Sequence, residues 1–175
     1  MSTKSSLTKT RILGIDPGTG ICGFGVIEVT SKVNNDSLSL RGKVKMIDNG
    51  VISTPPHTPL SDRLLDIYES MHEIIKLNKP DMVSIEKLFF TKNITTGISV
   101  AEARGVVLLV CKQENLPVFE YTPNEIKKTL TGYGSADKKQ MQEMVKLHLG
   151  LKDVPKPDDA ADALAAAITH TLMAN

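Results

Sequence analysis

Asp16 and Glu86 each close a short apolar run, RILGID over residues 11–16 and DMVSIE over residues 81–86. Both runs read as buried strands. Each carboxylate therefore leaves the core at a strand's C-terminal end, where the sites of open α/β sheets collect. Taken singly, a turn or capping role suits either acid as well. A second group, Asp158, Asp159 and Asp162, opens the alanine-rich stretch DDAADALAAA. Asp159 and Asp162 are three apart and share one helical face, and Asp158 with Asp162, four apart, does the same. Acids at a helix start also answer to capping and to the macrodipole. Asp162, however, sits among alanines, a composition suited to close packing on a sheet. A carboxylate aimed at that surface is costly unless it is paired or binds a cation. Carboxylates converging without a matching Arg or Lys suit Mg2+, which takes few, oxygen-only protein ligands. Four acids suit two such ions about 4 Å apart, the arrangement that displaces phosphodiesters.

Other reactive side chains fit no second mechanism. No Ser–His or Cys–His pair has the context of an activated nucleophile. Cys22 and Cys111 are far apart, in apolar surroundings and in no metal-like spacing, so they read as small buried hydrophobes. His57, His72, His148 and His170 form no ligand spacing and read as surface or helix-face filler. Lys138 follows the turn GYGS; it is an exposed first-turn lysine or a cation reaching a reacting phosphate. Phe89 and Phe90 stand beside a catalytic strand end in a chain with only four Phe and three Tyr. Phe89 suits stacking on an unpaired base and Phe90 suits packing. Tyr133, between two glycines, is a turn anchor or a probe toward nucleic acid.

The elements that must hold these groups follow from periodicity. Residues 11–16 and 22–29 predict a hairpin, with Gly20, Gly23 and Gly25 permitting the tight return. Residues 38–46, closed by 50–53, predict a third strand, and the three prolines of STPPHTP confine residues 53–59 to a loop. Leu64, Leu65, Tyr68, Met71, Ile74 and Ile75 recur at helical spacing. Strand 81–86, helix 95–115 and strand 116–121 follow. Pro123 suits the first position of a helix over 124–130. Ser135 is positioned to cap a helix ending at Leu149 before Gly150, and an alanine-rich helix runs over 158–172. Strands first, then alternating helices and strands, give an α/β domain with a mixed sheet. Residues 1–10 read as a flexible tail and 11–175 as one domain.

At 175 residues and 41% hydrophobic, the chain can bury a core without disulfides or a structural metal. It has no run approaching the roughly 20 apolar residues of a membrane span and no secretory signal, which places it in the cytoplasm. The formal charge of +1 argues against a nucleic-acid partner only until its distribution is read. Residues 126–152 carry a local +4, and residues 153–175 a local −3. A basic stretch therefore lies next to the acids.

With those residues in place, the chain resembles the RuvC family of Holliday-junction resolvases from Arg11 to about Thr171. The motifs are ILGIDPGTGICGFGVI (residues 12–27), IEKLFFTKN (85–93), AEARGVVL (101–108), LPVFEYTPNEIKKTLTGYGSADKKQM (116–141) and DDAADALAAAITH (158–170). The resemblance implies an RNase H-like fold, a five-stranded mixed sheet flanked by helices. It implies a homodimeric endonuclease that makes paired, symmetric nicks in a four-way junction during recombination and repair. The branch-migration proteins RuvA and RuvB would be its partners. The catalytic and metal-holding quartet falls on Asp16, Glu86, Asp159 and Asp162, with two Mg2+ per site and Mn2+ as a substitute. Asp159 is preferred to Asp158 because the family places these acids three apart, which leaves Asp158 as a helix cap or as a group that assists the metal site from behind its ligands. The stacking aromatic falls on Phe89, and the junction-contacting positions on Lys92, Asn93, Lys127 and Lys138. Two rival readings are a junction-binding module without catalysis and an actin-like ATPase using the loop Asp16–Gly20. The first would have lost acids, and the second needs two lobes.

Overall fold

The computed structural model describes residues 7–32, 43–88 and 94–174. Three strands open the chain: β1 (Leu7–Asp16), β2 (Ile21–Lys32) and β3 (Lys43–Ser53). Helix α1 (Leu60–Asn78), strand β4 (Met82–Glu86), helix α2 (Ile94–Gln113) and strand β5 (Val118–Tyr121) follow. Helices α3 (Pro123–Thr131), α4 (Lys138–Leu149) and α5 (Asp158–Met173) complete it. The sheet order is β3-β2-β1-β4-β5, antiparallel within the first three strands and parallel from β1 through β4 to β5. This is the expected five-stranded mixed sheet flanked by helices.

Because β1 is central and covered on both faces, residues 12–15 are all buried, with none of the alternation of a half-exposed strand. Ile12, Ile27 and Val29 pack under α3, α4 and α5. Leu13, Ile15, Val26, Val83 and Ile85 pack under α1 and α2. Buried Cys22 and Cys111 belong to this second layer, and burial pushes their thiols up to about 12 and about 11, as fillers rather than nucleophiles.

Several boundaries differ from the pattern in the sequence. β1 starts at Leu7, so residues 7–10 pair with β2 rather than belonging to a tail. Gly23 and Gly25 lie inside β2, not in the turn, and serve a different purpose from the expected tight return. A Cβ on Gly23 would stand 2.1 Å from the Asp159 carbonyl oxygen, one on Gly14 1.9 Å from that of Ala163, and one on Gly25 2.5 Å from the Leu164 side chain. These strand glycines and the alanines of α5 are two halves of one close contact, which the Ser84 hydroxyl reinforces by donating to the Ala166 carbonyl at 2.7 Å. We expect Gly14→Ala to cost about 1–3 kcal/mol or more by overpacking against backbone that cannot yield. A urea-unfolding midpoint unchanged from wild type would contradict that close packing.

The start of α4 is also displaced. Asp137, not Ser135, is its N-cap: the Asp137 carboxylate accepts from the Gln140 N–H at 2.8 Å, and the Gln140 side chain accepts from the Asp137 N–H at 2.9 Å. His170 is buried rather than on the surface. It meets the Tyr121 hydroxyl at 2.7 Å and the Met82 sulfur at 3.1 Å, and Phe119 lies over it with centroids 4.1 Å apart. Burial holds its imidazole below the ordinary value. Among the described residues, no helix is long and apolar enough to cross a membrane.

Candidate active site

β1 and β4 run parallel with Ile15 opposite Ile85, so Asp16 and Glu86 end neighbouring strands on the same edge of the sheet. The N-terminal turn of α5 reaches the same edge because Gly23, paired with Asp16, lets the Asp159 backbone approach. Helix α3 brings Lys127 from the side. Its position is set by a capping box between Thr122 and Glu125 and by Pro123 at the first turn. The α4 cap at Asp137 puts Lys138 in the first turn, pointing at the same acids.

A cavity of about 340 Å³ results, lined by Asp16, Glu86 and Asp162 with Lys127 and Lys138, and floored by Pro123, Ile126, Met141 and Ala165. Asp159 does not line it, yet its charge is felt there. The Asp16 carboxyl is raised to about 7 by burial and then by Asp162, Glu86 and Asp159, while Lys138 partly opposes the rise. Glu86 is raised by burial and by Asp162, with Lys127 opposing. Asp162 is raised by burial against the pull of Lys138. The four acids thus repel one another in a half-enclosed space, which is the electrostatic condition for drawing in a cation.

The site is not free of matching cations, as the sequence alone suggested. The Lys138 ammonium stands 3.3 Å from an Asp162 carboxylate oxygen and 3.6 Å from Asp158. Burial opposes its charge, but Asp162, Asp158 and Asp159 together raise its pKa. Asp158 is not a cap: Pro157 occupies that position without a side-chain bond, and Asp158 accepts from Lys156 at 2.7 Å. That hydrogen bond holds its carboxyl below the usual range. Among the described residues, no three His, Cys, Asp or Glu side chains enclose a metal ion by themselves. The donor chemistry nevertheless fits magnesium, which is commonly held by one or two carboxylates completed by water and substrate phosphate. Phe89, Lys92 and Asn93 lie outside the described residues. Tyr133 is exposed in the α3–α4 turn, where the Thr131 hydroxyl donates to its carbonyl at 2.8 Å.

The family model for crossover junction endodeoxyribonuclease RuvC matches residues 12–170, from the middle of β1 to the last turns of α5. The chain belongs to the RuvC family. The crossover junction endodeoxyribonuclease RuvC of Caldicellulosiruptor saccharolyticus is 51% identical over 162 residues, which cover 93% of this chain and 92% of that protein. The Thermus thermophilus RuvC structure superposes with a TM-score of 0.82 at 33% identity, covering 93% of this chain and 94% of the other. T. thermophilus RuvC in complex with Holliday junction substrate gives 0.81 at 32% identity, with 93% of each chain covered. The RuvC match takes in the whole candidate site, so its acidic strand ends and its basic α3–α4 segment belong to one family domain.

Proposed function

We propose that this RuvC-family endodeoxyribonuclease resolves four-way DNA junctions by hydrolysing one phosphodiester in each of two opposed strands. The observation that carries this is the mutually repelling acidic pocket at the ends of β1 and β4, with Lys127 and Lys138 at its rim. Asp16, Glu86, Asp159 and Asp162 would hold magnesium, or manganese in its place. Bound there, such an ion would supply a lowered pKa for an attacking water and a counter-charge for the leaving 3′ oxygen.

The chain's own groups do the rest. Asp16 and Glu86, deprotonated, present acceptors for the water's protons. Lys138 leaves its ion pair with Asp162 to meet a phosphate oxygen, so the negative charge of an incoming strand replaces that of the aspartate. Lys127 offsets charge on the Glu86 side. The apolar floor of Ile126 and Met141 excludes bulk water beneath the reacting group. Lys92 and Asn93 contact the junction, and Phe89 stacks on a base unpaired at its centre. Two copies of the chain act as a homodimer, one per strand. They work in the cytoplasm with RuvA and RuvB.

The test compares a four-way junction, a linear duplex and an RNA–DNA hybrid, each with and without magnesium. We expect symmetric nicks in the junction alone, and none after chelation. Equal cutting of the linear duplex, or cutting in the presence of chelator, would overturn the reading.

A further inference from the structure

Arg63 stands in the first turn of α1, outside the wall of the acidic cavity, and no role described so far uses it. Its Nε donates to the Thr54 hydroxyl at 2.8 Å, and that hydroxyl donates to the Thr19 carbonyl at 2.6 Å. The Thr54 N–H in turn donates to the Gly20 carbonyl at 3.0 Å. One guanidinium nitrogen, Nη2, is 3.3 Å from where a Cβ on Gly20 would be, so the absence of a side chain at Gly20 lets the fork lie against the loop. Arg63 is therefore clasped to the loop that follows Asp16.

Its fork is held but unspent. Arg11 pairs with Glu28 and Arg104 with Glu120, whereas among the described residues no acid pairs with Arg63. Its neighbour Asp62 is engaged with the Ser61 hydroxyl at 3.3 Å. The clasp also contains the Thr19 hydroxyl, buried and, among the described residues, without a partner. A half-buried guanidinium without an acid carries an unmet desolvation cost that a bound anion would offset. With Nε occupied, and with no hydrogen bond from Nη1 or Nη2 among the described residues, these two form a rigid pair of donors matched to two phosphate oxygens.

The layers decide which anion. Lys127 and Lys138 come from α3 and α4, on the face of the sheet that packs as one core layer. Arg63 comes from α1, which covers the opposite face. Cations thus approach the Asp16 strand end from both faces of the sheet, Lys127 and Lys138 at the cavity and Arg63 through the loop that follows Asp16. We propose that Arg63 is a phosphate-contacting residue that grips the DNA backbone on the α1 side of the cleavage site. This rests on the junction-resolving reading and extends the DNA path beyond α3 and α4.

The test measures junction affinity against salt for the full-length protein without divalent cation, alongside melting curves and cleavage by the wild type. Arg63→Gln should bind several-fold more weakly, and its slope of log affinity against log salt should fall by about 0.9 for each phosphate it no longer neutralises. Arg63→Lys should keep most of the slope but lose affinity, since one ammonium cannot hold Thr54 and a phosphate together. Wild-type slope and affinity in Arg63→Gln, or a lowered melting point with an unchanged slope, would overturn the assignment. If Arg63→Gln does not fold, Arg63→Lys decides, and unchanged affinity there overturns it. A wild-type protein that neither prefers nor cuts the junction would instead overturn the functional reading itself.

Discussion

Asp16→Asn should lower single-turnover junction cleavage by about 10³-fold or more while leaving junction affinity within about threefold of wild type. The substitution is isosteric but removes the most perturbed charge in the pocket. A site that polarises a phosphodiester through carboxylate-held cations stands to lose several kcal/mol of transition-state stabilisation, and about 4 kcal/mol is a thousandfold. Binding should not suffer, because the removed group is an acid facing a polyanion. At low salt the variant should bind slightly tighter, since one source of repulsion has gone. Asp158→Asn provides the contrast. Asp158 is partly exposed, paired with Lys156 and more distantly with Lys138, and absent from the cavity wall, so its loss should change cleavage by less than about threefold, as a surface ion pair would. Cleavage by Asp16→Asn within tenfold of wild type would sink the role given to Asp16. A large defect in Asp158→Asn would mean that the acids of α5 have been assigned to the wrong residues.

The acids were legible because each stands where a strongly patterned element stops. A strand that ends in a lone carboxylate, and a helix that starts with two and carries a third among alanines, can be seen in one dimension. The alanine-rich helix also predicted close packing on the sheet. The partner of that packing was not legible: Gly23 and Gly25 look like turn glycines, and Gly14 is one more residue of a strand, because the meaning of all three depends on a helix about 140 residues further along the chain. Ser135 looks like a cap by residue type, yet Asp137 wins because Gln140 completes a reciprocal pair of bonds that Ser135 has no partner to make. His170 looks like filler because helical spacing does not reveal that Tyr121, Phe119 and Met82 converge on it. The pairing of Lys138 with Asp162 joins two helices through tertiary contact alone, so the sequence suggests acids without a counter-charge. Arg63 escapes for the same reason, since its partners come from the ends of two strands.

The same electrostatics that prepare the pocket should weaken the protein without a cation. The Asp16 carboxyl sits at about 7 in the fold against 3.8 as its ordinary value. Between those values the folded chain keeps a proton that the unfolded chain has lost. Stability therefore falls as pH rises through this window, by up to about 1.4 kcal/mol per pH unit, and the penalty is complete above about pH 7. Glu86 and Asp162 are raised as well and push in the same direction. Asp16→Asn removes both the charge and the repulsion. In the absence of divalent cation it should be more stable than wild type by roughly 2–4 kcal/mol at pH 8, which is roughly 5–15 °C in melting temperature for a chain of this size. Near pH 4 the two should converge, because there the wild-type carboxyl is protonated in the fold. Magnesium at millimolar concentration should raise the wild-type melting temperature at pH 8 and do less at pH 5.5, where a proton competes for the same oxygens. It should do less for the variant at either pH. An Asp16→Asn protein no more stable than wild type at pH 8, or one equally offset at pH 4 and pH 8, would show that the acids do not strain one another. The case for a cation site would then lose its physical basis, whatever the variant did to cleavage.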